Sequence, residues 1–184
     1  MRTTISKLVE KIEPFDTLEQ QHINDVLRWI NSGSEIFRLE KPATPPKHLV
    51  VYFVLIDPST HELLLADHKR SRLWLPPGGH VEFNEHPKDT VLREAQEELG
   101  LDVSFLQEEP FFVTVTDIPG EERERHTDVT LWYLIEGHHD LPIQYCQHEM
   151  LGVKWFKLQD IPYEQSDPHM RRFVAKLQTQ NIVA

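Results

Sequence analysis

Apolar residues recur at helical spacing between Asp16 and Gly33, where Ile23, Val26, Leu27 and Ile30 share a face. Asp16 or Thr17 suits the cap and Ser32-Gly33 the stop, so this stretch is predicted helical. Lys41-Pro-Ala-Thr-Pro-Pro-Lys47 is too rich in proline for regular structure and reads as a linker. Short apolar runs follow. His48 to Ile56 and Glu62 to Asp67 predict two strands joined by an Asp57-Pro-Ser-Thr60 turn, and Leu73-Trp74-Leu75 ends a third. Helical spacing returns from Pro87 to Leu99, with Val91, Ala95 and Leu99 on one stripe and Leu92 beside it. Proline in its first turn, Asp89 near the start and Gly100 at the end fit that helix. Asp102 to Leu106, Phe111 to Thr116, Asp128 to Ile135 and Gly152 to Phe156 predict further strands, with a charged turn over Gly120 to Arg125. Pro168 to Gln178 predicts a closing helix. Strands around a central helix make the chain α/β.

The polar side of that central helix changes the picture from fold to chemistry. Glu94 and Glu98 are four residues apart on one face, with Glu97 next to both. Three such carboxylates repel one another in an isolated helix. Divalent cations reverse the sign, because hard oxygen ligands are what Mg2+ prefers. A Glu-rich run is more often a solvated face. Here, however, the run is tied at set distances to a Pro-Gly-Gly turn, Gly79, Glu85, Arg93 and Gly100.

Composition narrows the partners. The chain of 184 residues suits one well-packed domain. A formal net charge of -11, with no Lys/Arg stripe, argues against a nucleic-acid polymer as partner. Metal-mediated binding of phosphates is still open to an acidic protein. The single cysteine, Cys146, rules out an internal disulfide framework and fits a reducing compartment. No secretory signal and no run of ~18 apolar residues is visible, so the expectation is a soluble cytoplasmic protein without a membrane partner.

The segment GHVEFNEHPKDTVLREAQEELGL, Gly79 to Leu101, resembles the Nudix box G-x5-E-x7-R-E-U-x-E-E-x-G-U, and departs only at Ala95, where a larger aliphatic residue is usual. The resemblance covers about Leu49 to Leu177 and implies a Nudix-type α/β/α sandwich with a mixed β-sheet and the box as loop-helix-loop. Residues 1–40 then form an N-terminal helical extension, as in a bacterial subgroup of that family, and residues 41–184 the hydrolase domain. By similarity Glu94, Glu97, Glu98 and the Gly78 carbonyl bind Mg2+, with Mn2+ as a substitute. Arg93 pairs with Glu85 to fix the loop.

The implied reaction is attack of water on a diphosphate in a nucleoside diphosphate linked to another group. The base is a box glutamate or Glu149, which precedes the strand Leu151 to Phe156. His126, Asp128 and His169 are candidates for touching substrate, each weighed against a structural role. Trp74, Trp132 and Trp155 read as core, and any of them, or Phe83, can stack a base if its ring is exposed. His138-His139 read as solvent-facing. Markers of ADP-ribose, dinucleoside-polyphosphate and coenzyme A hydrolases are missing. By elimination the expected substrate is a nucleoside triphosphate, oxidised or non-standard forms included. A nucleotide-sugar hydrolase and a non-catalytic ligand sensor are the alternatives. An isomerase of isopentenyl diphosphate is disfavoured, since Cys146 lies after the core strands. The N-terminal helix can pack on its own core or on a second copy in a homodimer.

Overall fold

The structure, a computed structural model, describes residues 1–183. Contacts divide it into two compact units. One holds Met1–Tyr52, Gly78–Val91 and Gln107–Tyr133, and the other holds Phe53–Pro77, Leu92–Leu106 and the residues from Leu134 on. The elements are α1 (Arg2–Glu10), α2 (Thr17–Asn31), β1 (Lys47–Asp57), β2 (Glu62–His68), β3 (Leu73–Leu75), β4 (Gly78–His80), α3 (Pro87–Leu99), β5 (Phe112–Ile118), β6 (His126–Glu136), β7 (Met150–Phe156) and α4 (Met170–Thr179).

In the first unit α2 begins where the sequence placed its cap: Asp16 Oδ1 accepts the Glu19 amide at 2.8 Å. The Glu19 side chain is itself fully buried, which a carboxylate tolerates only when its oxygens are engaged. One oxygen accepts the Phe15 amide at 2.7 Å and the other the Val113 amide of β5 at 3.4 Å. The extension is therefore docked on β5 of its own chain. Glu19→Ala strands both amides and is expected to cost about 1–3 kcal/mol. Thermal unfolding reads this as a midpoint lowered by several degrees. In the same unit β4 pairs antiparallel with β1 (Val51↔Gly79), and β5 with β6 (Val113↔Leu131). Trp132, fully buried, donates its Nε1–H to Thr114 at 3.0 Å.

In the second unit the end of β1 pairs with β2 (Ile56↔Leu63), and β2 pairs with β3 and β7, all antiparallel. The turn between β1 and β2 forms around Asp57, whose Oδ1 accepts the Ser59 amide at 2.8 Å and hydroxyl at 2.6 Å. Helix α4 buries Met170, Phe173, Val174 and Leu177. Helix α3 ends at Gly100, which takes φ +66° and closes its amide on the Gln96 carbonyl at 3.1 Å.

The Thr127 amide bonds the Pro46 carbonyl, and ten residues on along both strands Gly137 bonds Ile56, so β1 and β6 run parallel. The sheet is accordingly mixed, in the order β3-β2-β1-β6-β5 with β4 on β1 and β7 on β2. The α/β class with a mixed sheet is what forms.

Within the expected helical extension, Arg2–Glu10 forms a helix of its own, its buried Ile5, Leu8 and Val9 supplying an apolar face. Three local expectations are corrected. Asp102 to Leu106 is no strand: only Phe105 bridges, to Ile135, before the charged Gln107-Glu108-Glu109-Pro110 run leads away. Leu92 is 44 % exposed and lies off the buried stripe of α3, while Val91, Ala95 and Leu99 are fully buried. The Pro-Gly-Gly segment is not a tight turn, because Gly78 and Gly79 lie in a strand. Among the described residues no helix is long and apolar enough to cross a membrane.

Candidate active site

The segment leading to α3 is built from backbone proximity. Gly78 faces Tyr52 across the β4–β1 pair, and a Cβ there would lie 2.1 Å from the Val51 carbonyl oxygen. Only glycine fits, through close approach rather than positive φ. Asn84 supplies the left-handed residue of the following loop, with φ 61°. Glu85 closes that loop: its Oε2 accepts the Glu82 amide at 3.0 Å and the Thr90 hydroxyl at 2.7 Å. It thereby fixes the loop to the first turn of α3.

Further along α3, in the second unit, the acidic face assembles. Arg93 Nη1 lies 2.8 Å from Glu94 Oε1 and 3.4 Å from Glu97 Oε2, so one guanidinium holds two carboxylates. The Glu94 side chain is 13 % exposed and that of Glu97 60 %. Glu98 is buried. Burial pushes the Glu94 carboxyl above its ordinary range; Arg93 opposes this, and the charges of Glu97 and Glu149 add to it. Glu149 thus belongs to the same electrostatic field. Its amide is tied to the Cys146 carbonyl at 3.1 Å, and the Cys146 amide to the Glu98 carbonyl at 2.7 Å. Hard carboxylate oxygens along one helix face are the donor type that a divalent ion of the magnesium type takes.

The candidates outside the box separate. His169 lies at the start of α4, where its Nδ1 accepts from Arg172 at 3.0 Å. His126 and Asp128, in the first unit, face one another at 3.3 Å within a cluster that also contains His48 and His80. The Asp128 carboxyl is held down at about 2: burial works against this, and the His126 and His48 imidazoles outweigh it. Asp128 in turn raises His126, whereas burial and then Arg38 depress His80 to about 3. Sequence reading passed over His48 and His80. Their only signal was a histidine at the head of a strand and another after two glycines, and spacing along the chain cannot show that β1, β4 and β6 bring them together.

Among the aromatics Trp132 is core, while Trp74 and Trp155 are half-buried. His139 is not simply a solvent-facing residue, since it stacks on Trp155 with centroids 4.8 Å apart and lies 2.7 Å from Glu62. Phe83 is 70 % exposed and meets Phe37 edge-on.

An α/β chain in which a glycine strand and a carboxylate-closed loop lead into an acidic helix defines the class. Its family follows from comparison. Residues 46–177 match the NUDIX domain model, and the chain belongs to that family, the Nudix hydrolases. It is similar to the zebrafish (Danio rerio) m7GpppN-mRNA hydrolase NUDT17, 43 % identical over 56 residues, which are 28 % of this chain. The match spans only 19 % of that relative's length. Among solved structures, a NUDIX-family hydrolase from Clostridium perfringens superposes with TM-score 0.55 at 22 % identity, over 72 % of this chain and 97 % of its own. The E. coli dihydroneopterin triphosphate pyrophosphohydrolase gives TM-score 0.55 at 17 % identity, over 77 % of this chain and 99 % of its own. At these identities the superpositions show the shared fold.

Proposed function

We propose that this chain hydrolyses the diphosphate linkage of a nucleoside diphosphate joined to another group, most readily a nucleoside triphosphate, oxidised forms included. The observation that carries the reading is the placement of Glu94, Glu97 and Glu98 along one face of α3, with the charges of Glu97 and Glu149 both acting on Glu94. These carboxylates hold Mg2+, for which Mn2+ can substitute. When bound, the ion neutralises phosphate oxygens and acidifies water. Arg93 contacts both Glu94 and Glu97 and so restrains the two side chains. Glu94, whose pKa is raised, and Glu149 are the groups able to accept the proton of the attacking water. Water adds at one phosphorus, the bridging P–O bond breaks, and the second phosphate leaves with the electron pair. The Gly78 carbonyl as a further ligand, and an Arg93–Glu85 pair, rest on the family resemblance.

His169 with Arg172 beside it offers a cationic contact for phosphate. The exposed Phe83 ring offers a stacking face for a base. Residues 41–184 are the hydrolase domain in this reading and 1–40 its extension. The matched span 46–177 lies inside that domain. A charge of -11 favours a small nucleotide over an RNA chain or an anionic membrane surface as partner, and the cytoplasmic setting is carried over as the sequence expectation. A second copy of the chain is carried as a partner for solution sizing to test.

A nucleotide-sugar substrate is the second reading, since it presents the same linkage. A non-catalytic sensor is disfavoured by the full set of box acids. The test is product formation, with and without Mg2+, across nucleoside triphosphates, nucleotide sugars, dinucleoside polyphosphates and coenzyme A. It is read as pyrophosphate or phosphate from the triphosphates and as the two separated phosphomonoester or nucleotide products from the others. Turnover concentrated on the triphosphates supports the leading reading. Turnover on nucleotide sugars alone moves it to the second, and binding without turnover to the sensor.

A further inference from the structure

Three histidines and an aspartate from three strands meet in the first unit. His48 at the head of β1, His80 on β4, and His126 and Asp128 on β6 each offer a ligand atom, all within 4.8 Å of one another. Two of the imidazoles have their tautomer set by backbone. His48 Nδ1 lies 2.8 Å from the Pro45 carbonyl and His126 Nδ1 2.5 Å from the Glu124 carbonyl. A carbonyl only accepts, so each Nδ1 carries a proton, and in its neutral form each ring then presents a bare lone pair at Nε2. Both nitrogens face the same atom: His48 Nε2 and His126 Nε2 are each 3.3 Å from Asp128 Oδ1.

With neutral rings, acceptors face acceptors, and a cation competes with protons for the place between them. The His48 side chain is wholly buried, and neither its Nε2 nor Asp128 Oδ1 makes a hydrogen bond. Buried polar atoms left in that state are costly. A cation between them removes the cost. Four ligands at about 2.0–2.1 Å around a tetrahedral ion stand about 3.3–3.4 Å apart, the distance at which His48 and His126 each stand from Asp128, and the whole set closes within 4.8 Å. Imidazole nitrogens whose other N–H is held by a backbone carbonyl are also the usual form of a metal-ligating histidine.

We propose that His48, His126 and Asp128, with His80 as fourth ligand, bind a divalent transition-metal ion of the zinc type. The site is separate from the box carboxylates and sorts metals differently, since imidazole suits zinc where carboxylate oxygens suit magnesium. Arg38, 3.1 Å from His80 Nε2, gives way when His80 coordinates. With four protein ligands the ion is structural, tying β1, β4 and β6 to one point. The Asp128 and His126 side chains, 18 % and 16 % exposed, leave a path for it to enter.

The test uses the untagged full chain, stripped with EDTA and reloaded with Zn2+ or Co2+ in excess Mg2+, then passed through a desalting column. The expected result is one equivalent of Zn2+ retained, a melting midpoint raised by about 5 °C or more at saturating Zn2+, and an intense visible spectrum from four-coordinate Co2+. His126→Gln and Asp128→Asn are expected to lose the ion, and Glu98→Gln to keep it. That last variant separates this site from the box: its hydrolysis falls whether or not the cluster binds metal. Folded wild type that retains under a tenth of an equivalent overturns the proposal. So does retention by a folded His126→Gln/Asp128→Asn double variant, or loss from Glu98→Gln alone. Should the cluster variants not fold, the Co2+ spectrum of wild type and Glu98→Gln decides: a weak six-coordinate spectrum in both overturns the proposal, and the intense one supports it.

Discussion

Glu98→Gln is expected to lower hydrolysis by at least about 100-fold while leaving the fold intact. The replacement keeps the volume of a buried side chain and removes one negative charge from the face that also carries Glu94 and Glu97. If that face holds the divalent ion, the loss falls on charge neutralisation at the phosphate, where most of the rate for such a reaction is generated. The helix itself is secured elsewhere. Its buried stripe, the Gly100 stop and the Cys146 amide on the Glu98 carbonyl do not need the carboxylate. Turnover measured beside far-UV circular dichroism and a thermal melt separates the two effects. Unchanged turnover in the folded variant would show that Glu98 is no ligand.

Gly78→Ala is expected to destabilise the first unit strongly. The added Cβ would stand 2.1 Å from the Val51 carbonyl oxygen, 2.9 Å from Tyr52 Cδ1 and 3.0 Å from Tyr52 Cα. Two of those atoms are backbone of the paired strand, so neither can move aside as a flexible side chain would. The β4–β1 pair must open, at a cost of about 3 kcal/mol or more. A melting midpoint lowered by roughly 10 °C is the corresponding readout. Activity is expected to fall as well, because the loop closed by Glu85 and the start of α3 follow β4 directly along the chain. Gly152→Ala is the matched control: it too lies in a strand, but its Cβ meets nothing within 4 Å. A change within about 0.5 kcal/mol is expected there. Equal melting midpoints for the two variants would contradict the close-approach account of Gly78.

Where sequence reading succeeded, the signal was local. The apolar stripe of α3, with proline in its first turn and glycine at its end, is a periodicity of one element, and the helix forms over Pro87–Leu99 as expected. Asp16 as cap of α2 and Asp57 as pivot of the first hairpin are equally local chemistry. It failed where the cause is non-local. Asp102 to Leu106 has strand-like composition, yet a single bridge to Ile135 is all the pairing it finds. Gly78 and Gly79 look like a turn until β1 is beside them. Glu19 drew no notice in the sequence, and its burial becomes explicable once the Val113 amide of β5 joins the local Phe15 amide on its carboxylate. The same limit hid half of the histidine cluster: His126 and Asp128 drew notice because they sit two residues apart, while His48 and His80 reach them only through strand pairing.

The measurement that bears most directly on the central claim is the rate of diphosphate hydrolysis against free Mg2+, on the panel substrate with the highest turnover. If the α3 carboxylates hold the ion that the reaction needs, EDTA-treated enzyme is silent and added Mg2+ restores turnover along a saturating curve. Hydrolysis that proceeds at the same rate in EDTA would contradict it.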